Sequence, residues 1–221
     1  MSGLASALGA LGLLFGVWAR VAVTRLTPEI RVHPRSPVLA RYPDVELTTM
    51  AVFVVVGVWA WHSLGAPNAM VIGYLALAWA SVVLTYVDLR INRLPNAIVY
   101  PTVLVLASSV LFAAFDTQDW DRALVAFATA CVLVVCYAAL WLVDGLGLGD
   151  VKLSLAIGLA LGWIGWPAAL IGTIAAFTLS GCFTLLTLSK RSAHAKARIP
   201  FGPWMFIGAW IGLFATSPVT A

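Results

Sequence analysis

Charge is what this chain has least of. Asp, Glu, Lys and Arg make up 10% of its 221 residues, against 62% hydrophobic. A soluble domain keeps about 25% of its residues charged, so this composition excludes an ordinary soluble globular protein. Cysteine is scarce as well: Cys131, Cys136 and Cys182 are the full set, and no two form a Cys-x-x-Cys pair. That spacing excludes a disulfide framework and a thiolate zinc site. The three thiols are expected to be buried inside apolar helices as small hydrophobes. The three histidines, His33, His62 and His194, are too scattered for a metal cluster. A positively charged start is missing too, because the first charge, Arg20, follows the apolar run 1–19. This segment reads as a first membrane span and not as a cleaved signal peptide.

What the chain has in quantity is long charge-free stretches. No Asp, Glu, Lys or Arg falls within 1–19, 47–87, 94–115, 123–143, 153–189 or 199–221. Crossing a hydrocarbon core of about 30 Å takes about 20 apolar residues in a helix. Divided at Gly65-Ala66-Pro67-Asn68 and at Gly162 to Pro167, the runs predict eight spans: roughly 4–19, 47–64, 69–87, 97–115, 123–143, 149–164, 167–188 and 200–216. The expected fold is an all-α polytopic membrane protein with about eight transmembrane helices. Residues 1–221 form a single helical membrane domain, and 20–46 form a short cytoplasmic loop. The ten tryptophans suit membrane interfaces.

Short loops rich in Lys and Arg stay in the cytoplasm. With the N-terminus outside, 12 of the 13 basic residues lie on the cytoplasmic side and Arg122 alone lies outside, in the acidic segment Asp116 to Arg122. The net charge of +4 is mostly this topological signal, and no nucleic-acid partner is needed to explain it. Lys152 and the basic segment 189–198 are assigned to topology and to contact with anionic lipid.

With so few acids present, each has to be explained by its position. Asp88 closes the span 69–87 and leads into a short turn, where Pro95 and Asn96 suit the start of the next helix. The bland reading is an interfacial aspartate paired with Arg90 or Arg93. Asp150 follows Gly145, Gly147 and Gly149, which allow a tight backbone path, and would begin the next apolar helix. Its bland reading is an N-cap aspartate. Asp144 reads either as a further acid of the site or as a solvated loop residue.

The topology brings Asp88 and Asp150 to the same face on turns of antiparallel helices. Two such carboxylates are the minimum for aspartic proteolysis, in which an ionised acid activates water and a protonated one polarises the scissile carbonyl. Helix ends suggest a division of labour: a helix N-terminus favours ionised Asp150, and a helix C-terminus favours protonated Asp88.

These residues resemble a known family, the type IV prepilin peptidases, which are intramembrane aspartic proteases with a Gly-x-Gly-Asp motif (peptidase A24-like). Gly147-Leu148-Gly149-Asp150-Val151-Lys152-Leu153 looks like that motif with its Val-Lys-Leu continuation, and Asp88-Leu89 through Leu94-Pro95-Asn96 looks like the segment carrying the first catalytic acid. Arg41 to Leu47 and Ile199-Pro200-Phe201-Gly202-Pro203 are similar to the blocks leading into the second and last spans. The resemblance implies that Asp88 and Asp150 are catalytic, supported by Gly147, Gly149, Lys152, Pro95 and Asn96, with no metal. It implies a prepilin or pseudopilin precursor as substrate and the bacterial cytoplasmic membrane as location, in type IV pilus or type II secretion assembly. Many members also carry two Cys-x-x-Cys pairs that bind zinc and N-methylate the cleaved product. Here 20–46 has no cysteine, and Arg20 stands where Asn is usual. S-adenosylmethionine is therefore expected as a cofactor only if the methyltransferase activity is retained. Two other readings remain open: a proton-coupled transporter or channel using the same aspartates, and an inactive scaffold of a pilus or secretion assembly.

Overall fold

In hydrocarbon a helix satisfies its backbone internally, and the apolar runs do become helices. A computed structural model of the chain describes residues 2–26, 44–64, 69–188 and 200–216. The described residues form eight helices: α1 (Ser2–Leu26), α2 (Asp44–Leu64), α3 (Ala69–Ile91), α4 (Asn96–Thr117), α5 (Trp120–Leu142), α6 (Leu148–Ile164), α7 (Trp166–Leu188) and α8 (Gly202–Thr216). The expected loop 20–46 is helical at both of its ends. Residues 27–43 lie outside the described residues, as does the basic segment 189–198.

Six helices, α1 to α5 and α7, are long and apolar enough to cross a membrane. With 17 and 15 residues, α6 and α8 are only about 26 Å and 22 Å long at about 1.5 Å per residue. Of the two, α6 lies in the interior of the bundle, while α8 is buried along one face and exposes Ile207, Ile211 and Phe214 on the other. Most of α6 is buried, from Leu153 to Trp163, and so are Met205, Phe206, Ala209 and Leu213 of α8. An unbroken apolar run does not distinguish a lipid-spanning helix from one sheltered by its neighbours, which is why the sequence counts both among its eight spans.

Small residues set the helix spacing, as expected where lipid removes the hydrophobic drive for helices to associate. A methyl added at Gly158 would lie 2.4 Å from Ala130 Cα, and one at Gly162 would lie 2.6 Å from Ala126 Cα, so α5 and α6 touch backbone to backbone. Gly208 and Gly212 meet Gly172 and Ala168 in the same way between α8 and α7. Gly12 and Gly16 seat α1 on Met50 and Glu46 of α2, and Arg20 completes that contact with a two-pronged ion pair from its Nε and Nη2 to Glu46. At the opposite end of the bundle, Asp119 caps α5 by accepting from Arg122 N at 3.2 Å. Gly158→Ala is expected to lower stability by about 2 kcal/mol through overpacking, while Gly3→Ala, with nothing within 4 Å, leaves it unchanged. Unfolding in detergent would check this; equal behaviour of the two variants would contradict backbone contact at Gly158.

The cysteines correct the sequence reading. Cys131, Cys136 and Cys182 are all exposed on outer helix faces, where Leu104, Phe112, Leu124 and Val135 also point outward. Helices that are apolar all round carry no periodic signal to say which face turns inward, so burial could not be read from their position in a span.

Candidate active site

Asp88 lies in the last turn of α3, one turn deeper than expected, because the helix continues to Ile91. Asn92 ends it in the left-handed conformation (φ 48°), with its N–H still donating to Asp88 O at 2.9 Å. The turn 92–95 then leads to Pro95, whose extended backbone precedes α4. Asp150 is the third residue of α6, which begins after Gly147. Its N–H donates to Gly147 O at 3.0 Å, and its Oδ2 accepts from Gly147 N at 3.0 Å. Asp150 is therefore not the N-cap itself. It reaches back to the N-cap glycine, as the third residue of a capping box does.

Both acids are almost fully enclosed, Asp88 at 5% exposure and Asp150 at 8%, yet both line one cavity of about 360 Å³. A buried carboxylate needs hydrogen-bond partners. For Asp88 the partner comes from across the chain, where Gly202 N at the start of α8 donates to Asp88 Oδ2 at 3.0 Å. This changes the electrostatic argument. The C-terminal end of α3 and the N-terminal end of α8 act on Asp88 with opposite signs, so helix ends alone do not assign the two protons.

Gly202 is the site residue that sequence reasoning missed. Its block, Pro200-Phe201-Gly202-Pro203, stood out, but a backbone amide carries no side-chain signature. A methyl there would lie 2.8 Å from Asp88 Oδ2. Phe201 lines the same cavity and meets Phe177 in a tilted ring contact at 5.0 Å, and Phe177 lies 5.7 Å from Tyr137. Phe201 thus faces the cavity with an aromatic cluster behind it, while Ser180 and Thr184 of α7 provide a polar wall.

Asp144 is exposed and lines the cavity as well. It ends α5 in a Schellman pattern: Asp144 N donates to Trp141 O at 3.0 Å, and Gly145 N donates to Leu140 O at 2.9 Å. Its φ of 56° is a conformation glycine adopts more readily. Asp144→Gly is expected to stabilise the fold by about 0.5–1 kcal/mol, read as a raised melting temperature; a lowered one would show that the carboxylate itself holds the turn.

Lys152, assigned from its charge to topology and lipid contact, also has protein partners. Its Nζ donates to Asn96 Oδ1 at 3.0 Å and lies 5.6 Å from the centroid of the Tyr100 ring. Among the described residues no group of three His, Cys, Asp or Glu side chains is placed to hold a metal ion.

The fold and site define an all-helical, membrane-type bundle in which two buried carboxylates, 62 positions apart in sequence, share one cavity. The chain belongs to the type IV leader peptidase family, whose model matches residues 75–186 and so includes both acids. It is 33% identical to the prepilin leader peptidase/N-methyltransferase of Aeromonas hydrophila over 191 residues, covering 84% of this chain and 62% of that protein. The protein of the same name from Stutzerimonas stutzeri is 28% identical over 200 residues, covering 85% and 63%; that of Pseudomonas aeruginosa is 28% identical over 193, covering 81% and 60%. The chain thus spans about three fifths of the length of these relatives. No solved structure matches it.

Proposed function

We propose that this chain is a membrane-embedded aspartic endopeptidase that removes the leader from prepilin or pseudopilin precursors at the cytoplasmic face of the bacterial inner membrane. The observation that carries the reading is the convergence of Asp88 and Asp150 in one sheltered cavity, each taking a hydrogen bond from a backbone amide. In this reading the eight helices form one membrane unit with the N-terminus outside. Six are long enough to span the bilayer unaided, and the shorter α6 and α8 complete the bundle. The charge asymmetry supports this orientation: Arg20, Arg25, Arg90 and Lys152 gather at the end holding the acids, and Asp116, Asp119 and Asp121 at the other.

The chemistry follows from the pair. One carboxylate, ionised, takes a proton from a water whose oxygen adds to the scissile carbonyl carbon. The other, protonated, gives its proton to the carbonyl oxygen. Collapse of the tetrahedral adduct breaks the C–N bond, and the amine leaves with a proton returned from the pair. Two adjacent acids share their protons as a unit, so either can serve as base. The step uses no metal and no cofactor. N-methylation of the product is not part of the proposal: 20–46 has no thiolates for a zinc site, and Arg20 is engaged with Glu46.

A transporter reading would place its acids near mid-span, whereas Asp88 and Asp150 both occupy terminal helical turns. The test is to co-express a pilin-type precursor with the chain and follow leader loss by gel shift and intact mass. Loss of the leader is expected, with the mass of the unmethylated product. An intact leader on every pilin-type precursor tried would overturn the assignment.

A further inference from the structure

Asp150 is oriented by its own turn, through Gly147, and that bond says nothing about where the turn stands relative to Asp88. The glycine-rich segment 145–149 leading to it is a poor guide for the same reason. What crosses between the two halves of the site comes from the turn that follows Asp88. Leu94 packs against both partners: an added methyl would lie 3.0 Å from Leu94 Cβ at Gly149, and 3.3 Å from Leu94 Cδ2 at Gly202. Such apolar packing sets how closely the elements approach but not their rotation. The directional link is Lys152, two residues beyond Asp150, whose ammonium donates to Asn96 Oδ1 at 3.0 Å and lies over the Tyr100 ring. A hydrogen bond from an ionised donor is among the stronger side-chain links, and the ring contact adds to it. Asn96 is the first residue of α4 and Tyr100 lies one turn further on.

We propose that Lys152 is a positioning residue: by tying the first turn of α6 to the first turn of α4 through Asn96, it fixes the separation of Asp150 from Asp88. This rests on the proteolytic reading only in that a carboxyl pair sharing protons needs one defined separation.

The test uses two readouts on the full chain, with the three cysteines replaced by alanine. Spin labels at Leu89→Cys and Leu148→Cys, both exposed, report the spacing of α3 and α6 without reference to activity. Cleavage of a precursor peptide with a basic leader and an apolar segment reports kcat and KM. Lys152→Met is expected to broaden the label distance distribution and lower kcat by about tenfold to a hundredfold, with KM within about twofold, as a misplaced catalytic group does. Lys152→Arg, which keeps a cationic donor, restores both readouts. Asn96→Leu reproduces the loss, and the double variant is no worse than either single, because one link has been broken twice. An unchanged distance distribution, additive losses, or a raised KM with kcat intact would overturn the proposal, the last by making Lys152 a substrate contact. If Lys152→Met does not fold, Lys152→Arg and Asn96→Leu carry the same comparison. If the labels broaden while the parent chain cleaves nothing, the positioning role stands and the proteolytic reading falls.

Discussion

Asp88→Asn and Asp150→Asn each abolish leader removal, with rates falling by about ten-thousand-fold, at the upper end of what positioned acid–base groups contribute. The two replacements are chosen for what they retain. Asn keeps a carbonyl oxygen in the place of Oδ2, so Gly202 N can still donate at position 88 and Gly147 N at position 150. The buried amides keep their partners, and the variants are expected in the membrane at parental levels. What is lost is the ability to hold or release a proton. Since both protonation states are needed in one turnover, neither acid can act for the other, and the double variant is no slower than the singles. Intact mass and gel shift of a co-expressed precursor check this. A membrane-inserted Asn variant that still processes within tenfold of the parent would remove that aspartate from the mechanism and leave the reading without its pair.

The helices were legible because span ends carry local signals. Pro95 placed the start of α4 to within a residue, at Asn96 against an expected 97, and the glycines before Asp150 did the same for α6, at Leu148 against 149. The two acids were legible for a different reason: in a chain with 9 acidic residues, a carboxylate beside an apolar run is costly enough to need a purpose. What stayed hidden depends on long-range closure. The bond from Gly202 to Asp88 joins residues 114 positions apart and uses an amide that every residue but proline possesses. The same holds for the bond from Lys152 to Asn96, which joins residues 56 positions apart. The outward-facing cysteines and the burial of α6 were hidden because a bundle with lipid outside and side chains inside is apolar on both. At Asp88 the helix that carries the residue is legible in the sequence, and the one that faces it is not.

Gly202→Ala tests that facing helix. The added methyl would stand 2.8 Å from Asp88 Oδ2 and 3.3 Å from Leu94 Cδ2, closer than a carbon normally comes to either. Asp88 has to move or α8 has to withdraw, and either way the 3.0 Å bond from Gly202 N is disturbed. Displacing a reacting carboxyl by a fraction of an ångström to an ångström costs about a hundredfold in rate, so cleavage is expected to fall by about that factor. Stability should not fall in proportion, because the added methyl meets the ends of two side chains, Asp88 and Leu94, and no backbone atom. That separation matters, since a variant that merely unfolds loses activity and melting temperature together. Gly181→Ala provides the comparison: it too adds one methyl to a glycine on a helix, but nothing lies within 4 Å of it, and it should cleave at the parental rate. Measured side by side, parental cleavage by Gly202→Ala would show that the amide of α8 is a bystander to Asp88. Loss confined to Gly202→Ala, at an unchanged melting temperature, would make the start of α8 a third component of the site beside the two acids.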